Sequence, residues 1–191
     1  MPKVIDFGIV KATEHAAARK FDPAVFVAAR LAPDQYTFAR QVQQATDHAR
    51  NSAARLAGME PPTVEANETS LAELIARVDN TVAFLATIKP EQIDGSEDKT
   101  IAFKMRGNDV SYKGLDFLLN SNMPNFYFHM TTAYNILRHN GVEVGKKDFL
   151  NWQITEQIEE FRDEQEQLLT QLPLGGSQYF KLWFDEEKKR P

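Results

Sequence analysis

Apolar positions recur at helical spacing along most of the chain. Between residues 34 and 57, Phe38, Val42, Ala45, Ala49, Ser52 and Leu56 fall at three- and four-residue steps, which predicts a helix with one narrow apolar face, stopped by Gly58. Ser70-Leu-Ala-Glu73 reads as a capping box opening a helix that runs to residue 88, with Leu71, Leu74, Ile75, Val78, Val82 and Leu85 as its stripe and Lys89-Pro90 closing it. Asp22-Pro23 and Pro33-Asp34 each put a proline near a helix start, where its missing N–H is harmless, beside an aspartate able to cap. The first of these predicts a short helix over 23–30.

The period then changes. Thr100 to Met105 and Val110 to Lys113, separated by Arg106-Gly-Asn-Asp109, have the alternation of two short strands joined by a turn, a hairpin too small to stand without support. A short helix over 114–120 follows, and Asn122-Met-Pro124 introduces another over 124–140. From Phe126 to Leu137 nearly every position is apolar or weakly polar, so this helix should be covered on most sides, with His129 facing inward. Further on, Ile154, Ile158, Phe161, Leu168 and Leu172 keep a four-three spacing broken by Gln165, a seam for another helix. Pro173-Leu-Gly-Gly-Ser177 ends it, and the aromatic run Tyr179 to Phe184 is expected to dock on its own bundle, cover a cavity or meet a second subunit.

Composition narrows the field. A chain of 191 residues with 42% hydrophobic and 26% charged positions suits one globular domain with an appendage: a bundle over 1–150 and a helix with an aromatic tail over 151–191. The net charge is -5 and basic residues are scattered, which argues against nucleic-acid partners. No apolar run could span a bilayer, and Met1-Pro-Lys-Val-Ile-Asp-Phe lacks the apolar core of a signal peptide, so a cytoplasmic protein is expected. With no cysteine, thiolate catalysis and thiolate metal sites are excluded. There is no glycine-rich phosphate loop, nucleophile elbow or paired-histidine protease motif.

Two stretches carry a family likeness. Asp22-Pro-Ala-Val with Ala29-Arg-Leu-Ala-Pro-Asp34 and Ala39-Arg-Gln-Val-Gln43, and later Pro124-Asn-Phe-Tyr-Phe-His129 through Ile136-Leu-Arg-His-Asn-Gly141, resemble the domain-of-unknown-function branch of the DinB-like bundles, found in bacteria and fungi. The likeness covers residues 12–150. It implies a mainly α fold: a four-helix bundle with a small β-hairpin insertion, here with an extra C-terminal helix. Relatives usually begin with a longer first helix, whereas only Val4 to Lys20 precedes Phe21. The expectation is that the seam over 154–172 supplies the packing a shortened first helix lacks, in its own bundle or in a partner subunit, the alternative being an ordinary solvent-side appendage.

DinB-like proteins of known activity resemble metal-dependent enzymes with one histidine on the second helix and a pair four residues apart on the last. His48 and His129 could take the first two positions. The third is absent, because the turn after His129 carries Thr132 and Ala133, neither of which replaces an imidazole ligand, and His139 lies about 15 Å further along the axis. No cofactor is expected, with a divalent metal on His48 and His129 as the alternative. Without metal, His129 is the candidate acid or base, and Gln44, His48, Asn125, Thr132 and Tyr134 are the candidate lining of a cavity between helices. His48 shares its row with Gln41, Gln44 and Asn51, which also reads as a solvated edge, and His129 as a satisfied core residue. His15 and His139 read as surface or helix-end residues.

Three functions follow from these readings. The first is a protein that binds or converts a small molecule between bundle helices. The second is a non-catalytic oligomeric or stress-related bundle, dimerising through residues 152–184. The third is a divergent metal-dependent transferase of DinB type.

Overall fold

Ser70 and Glu73 form the reciprocal cap their spacing predicts in the computed structural model, which describes residues 2–105 and 107–150. The Ser70 hydroxyl accepts from Glu73 N at 3.2 Å, and the Glu73 carboxylate accepts from the backbone of Thr69 and Ser70. This opens a helix at Leu71 that runs to Thr87. In chain order the helices are α1 (Pro2–Arg19), α2 (Ala24–Ala28), α3 (Phe38–Leu56), α4 (Leu71–Thr87) and α5 (Pro90–Ile93). Strands β1 (Thr100–Met105) and β2 (Asn108–Lys113) follow, then α6 (Gly114–Asp116), a π-helical turn (Phe117–Asn122), α7 (Met123–His139) and α8 (Lys146–Phe149).

The long helices pack pairwise into a bundle, α3 on α7 and α4, and α1 on α4 and α7. Its core holds Ile9, Phe26, Phe38, Val42, Leu74, Val78 and Ile136, all fully buried. Burying each such side chain is worth about 1.5–3 kcal/mol, so this cluster is the main source of stability. No helix of the described residues is long and apolar enough to cross a membrane. The fold is thus mainly α with one two-stranded antiparallel sheet, in line with the expected class.

Four boundaries differ from expectation. First, α1 spans Pro2–Arg19, where only Val4 to Lys20 was read before Phe21. Second, α3 begins at Phe38, four positions after Asp34, because Thr37 and not Asp34 supplies the N-cap: its hydroxyl accepts from Arg40 N at 3.3 Å. The preceding residues form a turn held by the Arg30 guanidinium on the Gln35 carbonyl and closed by Phe38 N on Ala29 O at 2.8 Å. Third, β2 starts at Asn108, since Met105 pairs with Asn108 and Gly107 takes φ 84°, the geometry of a tight hairpin. Fourth, the backbone stays helical from 114 to 139, where two separate helices were expected. The π turn resolves the conflict posed by Pro124: Met123 N reaches back to Leu118 O, and the Asn125 side chain serves Ser121 O at 2.6 Å.

The hairpin leans on the bundle, as its size requires. Ile101 and Phe103 on β1 and Tyr112 on β2 form a second cluster with Leu56 at the end of α3 and Phe117 in the π turn. The seam over 154–172, the aromatic run Tyr179 to Phe184 and the proposed dimer surface over 152–184 all lie outside the described residues.

Candidate functional site

The amphipathic pattern of α3 does more than build the core. Its buried positions include Gln41, Gln43, Thr46, Arg50 and Ser52 beside the apolar stripe, so a second, polar face is covered as well. Along one line of that helix, Gln41, Gln44, His48, Asn51 and Arg55 repeat at steps of three and four, and all border a cleft of about 670 Å³. That volume is within the range of small-molecule sites. The π turn and α7 contribute Asn122, Asn125 and His129 to the facing wall, and Phe103 and Met105 of β1 border one end. At the other end stand Gln35 and Tyr36, delivered by the turn that the late start of α3 leaves free.

His129 lies between the two helical walls. It is 7% exposed, and its Nδ1 is 2.7 Å from Gln41 Oε1. A carboxamide oxygen only accepts, so Nδ1 carries the proton and Nε2 keeps its lone pair. The His48 ring lies 5.5 Å from it at 17°, and the Tyr36 ring 6.4 Å away at the same tilt. Burial, then the neighbouring His48 and Arg40 charges, lower His129 from the ordinary 6.5 to about 4. Burial also lowers His48, against the opposing hydrogen bond from Asn122 and the charge of Asp47, with Arg55 adding to the lowering. Both imidazoles are therefore neutral at pH 7.

This makes acid sensitivity a direct readout. Above 6.5 the ring is neutral in both folded and unfolded chains; as pH falls toward 4 the unfolded chain takes up a proton that the folded chain refuses, so stability is lost in that window. The full shift would correspond to about 3 kcal/mol, and solvent in the cleft reduces this to about 1–2 kcal/mol. Asp6, raised to about 6 by burial and by Asp79, slopes the opposite way, so the comparison must be with His129→Gln. The variant should lose less stability between pH 7 and 4 than the parent in paired urea titrations. In NMR the His129 ring should titrate near 4, and a midpoint above 6 would contradict this environment.

Of the six residues expected to form the site, Gln44, His48, Asn125 and His129 border this cleft. Thr132 and Tyr134 do not border it. The Thr132 hydroxyl is spent on Phe128 O, one turn back on its own helix, at 2.7 Å. Tyr134 sits on another face, its hydroxyl 3.4 Å from Val144 O and its ring edge-on to Phe149, 5.5 Å away. His139 is an exposed helix end, and His15 packs edge-on to Phe21 at 5.9 Å. Gln41, Tyr36, Asn122 and Arg55 were not foreseen as site residues. Gln41 carried a signal, since it begins the row that His48 occupies; Tyr36 carried none, because its place depends on the turn before α3.

A metal of the DinB type does not fit these residues. Among the described residues, no group of three His, Cys, Asp or Glu side chains is placed to hold an ion. Ala133 stands one turn beyond His129 and is part of the apolar core. One nitrogen of His129 is already committed to Gln41.

Beneath the cleft lies a network that fixes its α3 wall. Asp47, which borders the cleft, accepts from Arg50 and Arg77 at 2.6 Å each. Arg77 also reaches Glu68 and the Glu65 carbonyl at 2.7 Å and the Thr46 hydroxyl at 2.8 Å. Burial raises Glu68, but the hydrogen bonds from Arg77, its own backbone and Gln43 outweigh this and hold it below the ordinary carboxylate value.

Comparison with known proteins gives two findings. Residues 3–150 match the family described as Domain of unknown function (DUF1993). A crystal structure of a DinB family member protein from Shewanella denitrificans is 39% identical, covering 79% of this chain and 85% of that chain with a TM-score of 0.72. No curated protein matches. The match begins at residue 3 where the likeness was read from residue 12, and so takes in α1 from its second residue.

Proposed function

The chain belongs to the DUF1993 family, with a DinB-like fold, and from that premise we propose that it binds a small molecule in the cleft between α3 and α7 and can act on it through His129. The observation that carries this reading is the His129–Gln41 pair at the wall of a cleft of about 670 Å³ lined chiefly by polar side chains. A core histidine needs only a partner; it does not need an open polar space beside it.

The chemistry available follows from the protonation state. With Nδ1–H held by Gln41, Nε2 is a hydrogen-bond acceptor at neutral pH, not a donor. An imidazole lowered to about 4 is a poor general acid at pH 7, since almost none of it carries the second proton. It becomes a base where negative charge developing on the ligand draws a proton onto Nε2. The acid-or-base expectation thus narrows to acceptor and base, with Gln41 as the positioning residue that fixes the tautomer.

A metabolite screen by ligand-observed NMR on the full chain tests the reading. Compounds that bind the parent should lose at least tenfold in affinity on His129→Ala, with circular dichroism confirming the fold, and should be unaffected by Tyr134→Phe outside the cleft. Hits that bind His129→Ala as well as the parent would sink it.

A further inference from the structure

We propose that the cleft selects an uncharged, planar heterocycle of the nucleobase class, an inference that rests on the small-molecule reading and deepens it. Three independent features of the lining lead there. The first is charge. Asp47 is neutralised by two guanidinium groups, Arg50 and Arg77, at 2.6 Å each. Arg55 lies over the Phe103 ring at 4.3 Å, beside the hairpin, and Asp34 is exposed. Both histidines are held neutral by burial. Arg55 and Asp34 thus keep their charges at opposite ends of the cleft, whereas a phosphate or an ammonium group in its middle, between Gln44, His48 and His129, would lose hydration beside neutral groups alone, a cost that an uncharged ligand avoids.

The second feature is the surplus of carboxamides. Gln35, Gln44 and Asn51 border the cleft in addition to three carboxamides already engaged, Gln41 by His129, Asn122 by His48 and Asn125 by Ser121 O. Each offers an acceptor and a donor side by side in one plane, the complement of a heterocycle edge with alternating N–H, C=O and ring nitrogen, which is why Asn and Gln read adenine in pairs of hydrogen bonds. Ligands carrying only acceptors would leave half of this surface unmatched.

The third feature is the set of rings. Tyr36 and Phe128 are 50% and 56% exposed although both border the cleft and both approach His129. Phe128 stands edge-on to His129 at 82° and so walls the stack, while Tyr36, with the Arg40 guanidinium 5.7 Å over its ring, offers the exposed stacking surface. The rings of His48 and Tyr36 are each tilted only 17° from His129, so they share one stacking direction to which a flat molecule adds as a further layer. A sugar could cover one ring, but its hydroxyls project in all directions and match neither the shared plane nor the in-plane amide edges.

Calorimetric titration of the full chain with adenine, hypoxanthine, uracil, AMP and glucose separates the outcomes. At least one free base should bind, Tyr36→Leu and Gln44→Ala should each weaken it about tenfold, and Tyr36→Phe should keep most of the affinity because the ring and not the hydroxyl does the stacking. Tyr36 is half exposed, so these changes leave the fold intact, as unchanged melting would verify. AMP binding tenfold tighter than adenine would overturn the proposal, since charge would then be read; so would glucose binding in place of the bases, or indifference to Tyr36→Leu. If His129-dependent hits appear in the metabolite screen but no heterocycle binds, this inference fails while the cleft reading stands. If nothing of any class binds, both fail together.

Discussion

Arg77→Ala is expected to destabilise the protein by about 3–5 kcal/mol, the cost of removing one partner from a buried ion cluster and leaving the others unpaired. The side chain is 2% exposed, and it bonds Asp47, Glu68, the Glu65 carbonyl and Thr46 at 2.6–2.8 Å. Without it Asp47 keeps Arg50, but Glu68 keeps only Gln43 and its own backbone N–H, and the segment before α4 loses its anchor. The loss should appear as a lower urea midpoint. Arg77→Lys should recover less than half of it, because an ammonium cannot span four acceptors held by a planar fork. A loss under about 1 kcal/mol would mean that water replaces the guanidinium, and the network would then be a surface feature.

Gly114→Ala should cost on the order of 3 kcal/mol for a different reason, the overpacking of a site with no room to give. A Cβ there would stand 2.0 Å from Ser96 O and 2.9 Å from Ser96 C, both backbone atoms. The close approach exists because Gly114 N bonds Lys99 O at 2.9 Å and Leu115 N bonds Glu97 O at 3.0 Å, tying the end of the hairpin to the loop that precedes it. Gly107→Ala is the useful contrast: its φ of 84° disfavours alanine but nothing lies within 4 Å, so about 1 kcal/mol is expected. Hydrogen exchange should report the difference, with faster exchange over 96–116 in Gly114→Ala. Equal melting of the two variants would show that the Ser96 loop simply moves aside.

Much of this architecture was legible in the sequence where a local rule and a tertiary need agree. The Ser70–Glu73 box, the α4 stripe, the hairpin and the inward position of His129 all follow from spacing. The start of α3 was not legible, because Asp34 and Thr37 are both competent caps and only the turn before the helix decides between them. Arg77 was invisible for another reason: arginine is rarely buried, and nothing local reveals that Asp47 and Glu68, 30 and 9 positions away, converge on it. Of the cleft, the α3 row could be read, since His48 and its amide neighbours share a helical face. What the row faces could not be read, because that depends on the phase of α7, and the phase is set by a π turn over Phe117–Asn122 that no local spacing rule marks.

That turn carries a consequence for how the site can change through descent. Ordinary helix advances about 100° per residue, so the single extra residue accommodated over Phe117–Asn122 decides which way every later position points. A point mutation at Asn122, Asn125 or His129 alters one contact and leaves the others in place. A one-codon deletion anywhere in the turn would let the helix relax to its usual pitch and swing all three off the cleft together, exchanging them for neighbours that now serve the core. A substitution in the lining therefore changes the cleft one contact at a time, while a change in the number of residues between the hairpin and Pro124 changes a whole wall of it.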